Sequence, residues 1–334
     1  MNEAILAVLK DAKDQWISGA ELSRRLGVSR TAVWKHMESL RASGYVLEAH
    51  QRRGYRLVSA PDAVTPGELL PGLTTERFGR QIEYREAVPS TNDLAKELAR
   101  AGAPEGFLVI TDEQTAGRGR LGRSWTTPGG TALAMSLVLR PTLPPHHAPR
   151  ITLTAAVAVA EAVREVTGLP AGIKWPNDVQ IGGRKLCGIL TEMESEMLSQ
   201  VTFVVLGVGL NVNVPREAMP EAFRESATSL LLETGAPVPR APLARAVLVR
   251  LEAAYEELQA GRFPALLDRW RGLSVTLGRP VRIFSVTGEP FLDGVAEDVD
   301  ADGALLVRSA DGAGVPGLHR VLAGEVSLRP QRTT

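Results

Sequence analysis

The sequence predicts an α+β chain of three domains. Three observations carry this: a helix-turn-helix followed by a hairpin at the start, a middle region where strands and helices come in mixed order, and a tail of short alternating strands. At 334 residues, 44% of them hydrophobic, the chain is long enough for each domain to bury its own core. Two proline-containing breaks, "SAPDAVTPGE" at 59–68 and "RGLSVTLGRP" at 271–280, set the expected boundaries at 1–60, 65–272 and 274–334.

In the first domain "SGAE" at 18–21 is a capping box that opens the helix "AELSRRLG", which Gly27 ends. Ser29 caps "RTAVWKHMESLRASG", where Val33, Met37 and Leu40 recur at helical spacing and leave Arg30, Thr31, Trp34 and Lys35 outside. A tight "GVS" turn between the helices makes a helix-turn-helix. "YVLEAH" and "GYRLV" flank "QRR" as a hairpin wing, so the domain reads as a winged helix.

The middle domain opens on "STNDLAKELARAG", a helix capped by Ser90 or Thr91 and ended by Gly102. The strand "GFLVITDE" leads into "GRGRLGRSW" at 117–125, and "TALAMSLVLRP" leaves it. A long apolar helix follows at 149–167, then "IKWPNDVQIGGRKLCGILTEM", a hairpin turning at Gly182 and Gly183. The valine-rich strand "VTFVVLGVGLNVNV" and helices at about 242–260 and 263–271 complete it. In the tail, short strands broken by "TGEP", "DADG" and "ADGAG" fit a small SH3-like β-barrel.

Lys plus Arg and Asp plus Glu both count 38, so any polyanionic partner must meet a local patch. Residues 1–60 are such a patch, with ten basic residues against six acidic ones. On a winged helix this suits DNA: Ser29, Arg30, Thr31, Trp34 and Lys35 at the recognition helix, and Arg52 and Arg53 in the wing. A winged helix can also be a protein-interaction module. The N-terminal run "MNEAILAVLKDAKD" is too interrupted by charge for a signal peptide, and no run approaches the roughly 18 apolar residues of a spanning helix. The lone Cys187 shows no mark of an oxidising compartment, so a cytoplasmic location is expected.

Four segments could carry chemistry, each with a plainer reading. "GRGRLGRSW" is a solvated basic loop, or a loop whose glycines and arginine forks hold phosphate or carboxylate, with Trp125 offering a flat apolar surface. "KWPND" is a plain turn, or one that puts Asp178 in reach of a cation or polar ligand edge. Lys185 in "GGRKLCGIL" is a solvated lysine, or one projecting over a cleft. The glycines of "GVGLNVN" mark close approach of a ligand or another backbone.

Together with "STN" at 90–92, these segments resemble the biotin protein ligase family, specifically its bifunctional ligase and biotin operon repressor members, in order and spacing over essentially the whole chain. The resemblance implies a biotin/lipoyl-ligase-type catalytic domain in the middle. It implies attack of the biotin carboxylate on the α-phosphate of ATP, loss of pyrophosphate, and transfer from biotinyl-5'-adenylate to a carrier lysine. Lys185, Arg118 and Arg120 then act at the reacting groups. Ser90, Thr91, Asn92, Gln114, Arg118, Gly119, Arg120 and Lys185 take biotin. Arg118, Arg120, Arg123, Trp125, Asn177, Asp178, Lys185 and Asn211 take ATP or the adenylate, with Mg²⁺ at Asp178. Implied partners are biotin, ATP, the biotin carboxyl carrier protein of acetyl-CoA carboxylase, operator DNA and a second copy in a ligand-promoted homodimer, with no membrane. Leu121 departs from the family pattern where some relatives have another arginine. A second loop near adenine is expected at 214–230. The arginine loop, about 115–124, is expected to order poorly alone, because its glycines and mutually repelling arginines give it little reason to order. The alternatives are a ligase without regulatory activity, and a biotin-sensing transcription factor without ligase activity; a lipoate ligase would lack the arginine-glycine run.

Overall fold

The computed structural model describes residues 1–12, 14–196, 200–309, 317–322 and 324–328. These divide into two compact units, Met1–Thr74 with Pro239–Arg245, and Thr75–Val238 with Ala246–Thr334.

In the first unit α1 (Asn2–Asp11), α2 (Gly19–Leu26) and α3 (Arg30–Ala42) precede the antiparallel hairpin of β1 (Val46–His50) and β2 (Gly54–Ser59). Both expected caps form: Ser18 Oγ accepts from the Glu21 N–H and Ser29 Oγ from the Ala32 N–H, each at 3.1 Å. Gly27 ends α2 in the left-handed region at φ 67°. Val33, Met37 and Leu40 close onto Ile5, Leu9, Leu22 and Leu47 in one core. That burial turns Ser29, Arg30, Thr31, Trp34 and Lys35 outward, and all five are exposed, as are Arg52 and Arg53 at the wing tip. The short α4 (Pro66–Leu69) brings Glu68 into this unit, where Tyr45 Oη donates to it at 2.6 Å and Lys10 pairs with it at 2.7 Å.

The second unit is built on a seven-stranded sheet. Its elements in chain order are β3 (Ile82–Val88), α5 (Thr91–Arg100), β4 (Leu108–Gln114), β5 (Ala132–Leu139), α6 (Ala148–Thr167), β6 (Gly172–Lys174), β7 (Asp178–Ile181), β8 (Arg184–Glu196) and β9 (Gln200–Asn211). The strand order is β3-β4-β5-β9-β8-β7-β6, parallel only between β3 and β4. Alternation along β9 assigns its two faces. Phe203 and Val205 pack with Ala95 and Ala99 of α5, whereas Leu206 faces Ile151 and Ala155 of α6 on the other side. Gly207 and Gly209 continue the first stripe beyond the N-terminus of α5, so the face that α5 covers opens there into a cleft. The short α7 (Leu230–Thr234), then α8 (Arg240–Gln259) and α9 (Phe263–Leu273), lead to β10 (Pro280–Phe284), β11 (Pro290–Val299), β12 (Leu305–Ser309), β13 (Gly317–Val321) and β14 (Glu325–Leu328). These last strands form a five-stranded antiparallel sheet in the order β13-β12-β11-β10-β14. The turn "ADGAG" at 310–314 lies outside the described residues. No helix among them is long and apolar enough to cross a membrane.

Candidate active site

A cavity of about 600 Å³ in the second unit is lined by every residue expected from the sequence to take biotin, ATP or the adenylate. Four strand ends and three loops bring them together.

At one end lies the start of α5. Ser90 caps it, while Gln114 Oε1 accepts from the Thr91 N–H at 2.9 Å and its Nε2 donates to Thr127 Oγ1 at 3.2 Å. Asn92 Oδ1 accepts from Ser136 at 2.6 Å, and its Nδ2 donates to Glu192 at 2.7 Å. The Asn92 amide fills the space a side chain at Gly207 would need. This end of the cleft is therefore a fixed array of donors and acceptors, nearly closed to solvent at Ser90, Thr91 and Asn92.

The floor is a glycine pair. Gly188 of β8 faces Gly209 of β9 across the ladder, and the Trp125 indole lies on both. A Cβ at Gly209 would stand 2.6 Å from Cε2 and Nε1 of Trp125, and one at Gly188 would stand 3.2 Å from Cζ3. The strand glycines thus admit side chains, where the sequence suggested a ligand or another backbone. Trp125 Nε1 is buried without a hydrogen-bond partner among the described residues.

Lys185 and Asp178 form the charged wall. Lys185 Nζ lies 2.7 Å from Asp178 Oδ1 and 5.6 Å from the Trp125 ring centre. Lys174, which the sequence reading passed over inside "KWPND", stands directly opposite Asp178 in the β6–β7 register and lines the same wall. Burial pulls its ammonium below the ordinary lysine range, Asp178 opposes that shift and Lys185 adds to it. Trp175 beside it is buried, its indole N–H donating to the Gly303 carbonyl at 3.0 Å. Cys187 is buried behind this wall, where burial pushes its thiol up, out of the range of a neutral-pH nucleophile.

Each guanidinium of the arginine loop has its own anchor, which offsets the expected mutual repulsion; that repulsion is still felt by Arg120 from Arg123. Arg118 pairs with Asp93 and reaches Glu192 at 3.3 Å. Arg120 Nη1 donates to Asn177 Oδ1 at 3.0 Å and Nη2 to the Gly324 carbonyl at 3.4 Å, and burial lowers its pKa. Arg123 pairs with Glu325. Leu121 and Gly122 take the left-handed region at φ 56° and 73°, and this tight turn lets the arginines diverge. Leu121 itself points outward, 45% exposed.

Burial works against the charge of Glu192, but donation from Lys96 at 2.8 Å and from Asn92, with the charges of Lys96 and Arg118, holds its carboxyl below the usual carboxylate range. Glu192 therefore ties the root of the arginine loop to α5.

Residues 214–230 carry two short 3₁₀ turns, Arg216–Ala218 and Glu221–Phe223, and close the remaining side with Met219, Pro220 and Phe223. Asn211 Nδ2 donates to the Thr228 carbonyl at 3.0 Å and holds that loop to β9. β14 adds Glu325 and Val326 to the lining, a contribution for which no sequence signal was found.

For a metal, Asp178 offers one hard oxygen donor beside Lys185, and no group of three or more His, Cys, Asp or Glu gathers among the described residues. That donor set fits Mg²⁺ in the mode where one carboxylate is shared with substrate phosphates and water.

Comparison with known proteins agrees with this arrangement. The model of the Biotin/lipoate A/B protein ligase family matches residues 84–211, an HTH domain matches 2–56, and the Biotin protein ligase C terminal domain matches 276–329. The Bifunctional ligase/repressor BirA of Bacillus subtilis is 39% identical over 98% of both chains. That of Escherichia coli is 31% identical over 95% of this chain and 94% of its own. The biotin protein ligase of Aquifex aeolicus, solved in complex with biotin and ATP, superposes with a TM-score of 0.63 at 26% identity, covering 75% of this chain and 99% of its own. The chain belongs to the family of bifunctional biotin ligase/repressors.

Proposed function

We propose that this protein activates biotin with ATP to biotinyl-5'-adenylate, transfers biotin to a lysine of a carrier protein, and represses transcription in response to biotin. The observation that carries the enzymatic reading is the convergence of five separate sequence segments on one cleft with a polar closed end, an apolar floor and a cationic wall.

Joining a carboxylate to a triphosphate brings two anions together, and the barrier falls where fixed positive charge awaits the charge that develops. Ser90, Thr91, Asn92 and Gln114 supply neutral donors and acceptors for the biotin head at the closed end. Gly119 lets the loop backbone approach the ligand. Lys185 bridges the biotin carboxylate and the α-phosphate, exchanging Asp178 for them as partners. Arg118 and Arg120 stabilise the adenylate, and Arg123, Trp125, Asn177 and Asn211 bound its nucleotide side. Asp178, once Lys185 turns to the substrates, would hold Mg²⁺, which when bound would supply positive charge for the departing pyrophosphate. No protein nucleophile is needed, since the substrate carboxylate and then the carrier amine attack. The loop over the cleft keeps water from the mixed anhydride until the carrier arrives.

The expected carrier is the biotin carboxyl carrier protein of acetyl-CoA carboxylase. The exposed Ser29, Arg30, Thr31, Trp34, Lys35, Arg52 and Arg53 support operator binding by the winged helix. One such domain makes few phosphate contacts, so repression is proposed to need a homodimer promoted by the adenylate. ATP, operator DNA and the carrier are partners expected in the cytoplasm, which supports a cytoplasmic location for the protein.

The test is incubation with ATP, Mg²⁺, labelled biotin and a biotin carboxyl carrier domain. Label on the carrier lysine and released pyrophosphate are expected. Neither product at any enzyme concentration rejects the ligase reading.

A further inference from the structure

Of the two arginines at the wing tip, only one has a platform beneath it. The Arg53 guanidinium lies 4.7 Å from the ring centre of Trp16, a half-buried residue just before α2. Trp16 is held beside the wing because Ile17 and Tyr55 exchange backbone hydrogen bonds at 2.9 and 2.8 Å. That exchange requires Gly54: its φ is 97°, and a side chain there would run into the Ile17 backbone. The turn is fixed from its other end by His50, whose ring stands edge-on to Trp16 with centres 5.8 Å apart. His50 Nδ1 accepts from the backbone N–H groups of Arg52 and Arg53 at 3.2 and 3.3 Å.

Arg56 also approaches Trp16, at 5.2 Å, but its guanidinium edge is occupied by two hydrogen bonds to Glu48 at 3.2 and 2.6 Å. No carboxylate among the described residues lies within ion-pair distance of Arg53. A guanidinium lying over an indole keeps its in-plane N–H groups free to meet an anion. Holding it there removes rotamer freedom before binding.

We infer that Trp16 is a positioning residue for DNA: it presents Arg53, with its donor edge free, as the ordered phosphate contact of the wing. The inference rests on the proposed DNA-binding role of this domain. It separates Arg53 from Arg52, which the sequence did not distinguish: Arg53 has the Trp16 platform, and Arg56, also near that ring, is already spent on Glu48.

The test uses the full-length protein and a mixed-sequence DNA duplex, titrated over a range of salt concentrations. Arg53→Ala should weaken binding and make the slope of log K against log salt shallower by about 0.9, the loss of one phosphate contact. Trp16→Ala should weaken binding about two- to fivefold and move the slope in the same direction. Trp16→Phe should retain most of the affinity, which guards against a folding defect in the alanine variant. The double variant Trp16→Ala with Arg53→Ala should bind no more weakly than Arg53→Ala alone, and Arg56→Ala should change little. Wild-type affinity and slope in Trp16→Ala, or losses that add in the double variant, would overturn the inference. Absence of salt-dependent binding by the wild type would instead remove the DNA reading, and the inference with it.

Discussion

Gly209→Ala tests the floor of the cleft. The new methyl would stand 2.6 Å from Cε2 and Nε1 of Trp125, and all three of its nearest neighbours belong to that indole. Unstrained carbon contacts need about 3.5–4.0 Å, so the ring must retreat by roughly 1 Å. The backbone N–H of Trp125 donates to the Gly117 carbonyl at 2.8 Å, so a retreat of the residue that carries the indole pulls on the arginine loop. Overpacking of this kind costs about 1–3 kcal/mol. Gly209 lies in a strand outside the left-handed region, so alanine also narrows the unfolded ensemble, offsetting about 0.4–1 kcal/mol. The net expectation is a loss of about 1–2 kcal/mol in wild type. In a Trp125→Ala background the clash partner is gone, and the same substitution should become neutral or stabilising. Thermal unfolding of the four proteins gives the double-mutant cycle, and biotin titration by calorimetry reports the cleft directly. Equal destabilisation in both backgrounds would show that the indole does not rest on Gly209.

Lys185→Ala and Arg118→Ala should each keep the fold and lose about a hundredfold in adenylation, the effect of about 3 kcal/mol lost at the transition state. Pyrophosphate release at the wild-type rate from either variant rejects its assigned role, and Arg118→Ala should also leak adenylate faster. Glu192→Gln should lower Tm at pH 7. The folded carboxyl lies below its unfolded value of about 4.3, so its stabilisation is present above that pH and vanishes as pH falls through the folded value. A deficit against wild type that is as large at pH 3 as at pH 7 would refute the ion-pair account. The arginine-loop anchors at Arg118 and Arg123 are partly exposed, so added salt should weaken them and increase protease nicking at 115–124, while biotin with ATP should suppress it. Nicking indifferent to both would mean that the loop is held by something other than these pairs. DNA binding should tighten with biotin plus ATP, and Arg30→Ala with Lys35→Ala should abolish it while sparing ligation. A footprint unchanged by the ligands leaves only the ligase.

Local patterns in the sequence determined the elements. Ser18 and Ser29 announced helix starts because a side-chain acceptor there meets backbone donors three residues on, and helical spacing alone put Val33, Met37 and Leu40 inward. Cleft residues were legible for a different reason: each segment alone had a plainer reading, and only their order and spacing together resemble the biotin protein ligase family. Tertiary structure decided what those residues touch. Gly209 pairs with Gly188 only because β8 and β9 take one register, and the indole on both comes from a loop far earlier in the chain. Partners of the arginines were equally invisible: Asp93 lies on α5, Glu192 on β8 and Glu325 on β14. Counting like charges along the loop predicted repulsion, because the compensating carboxylates are distant in sequence and arrive only when the sheet closes. Lys174 escaped for the complementary reason, since a lysine beside a turn looks solvated until strand pairing sets it opposite Asp178 inside a cleft.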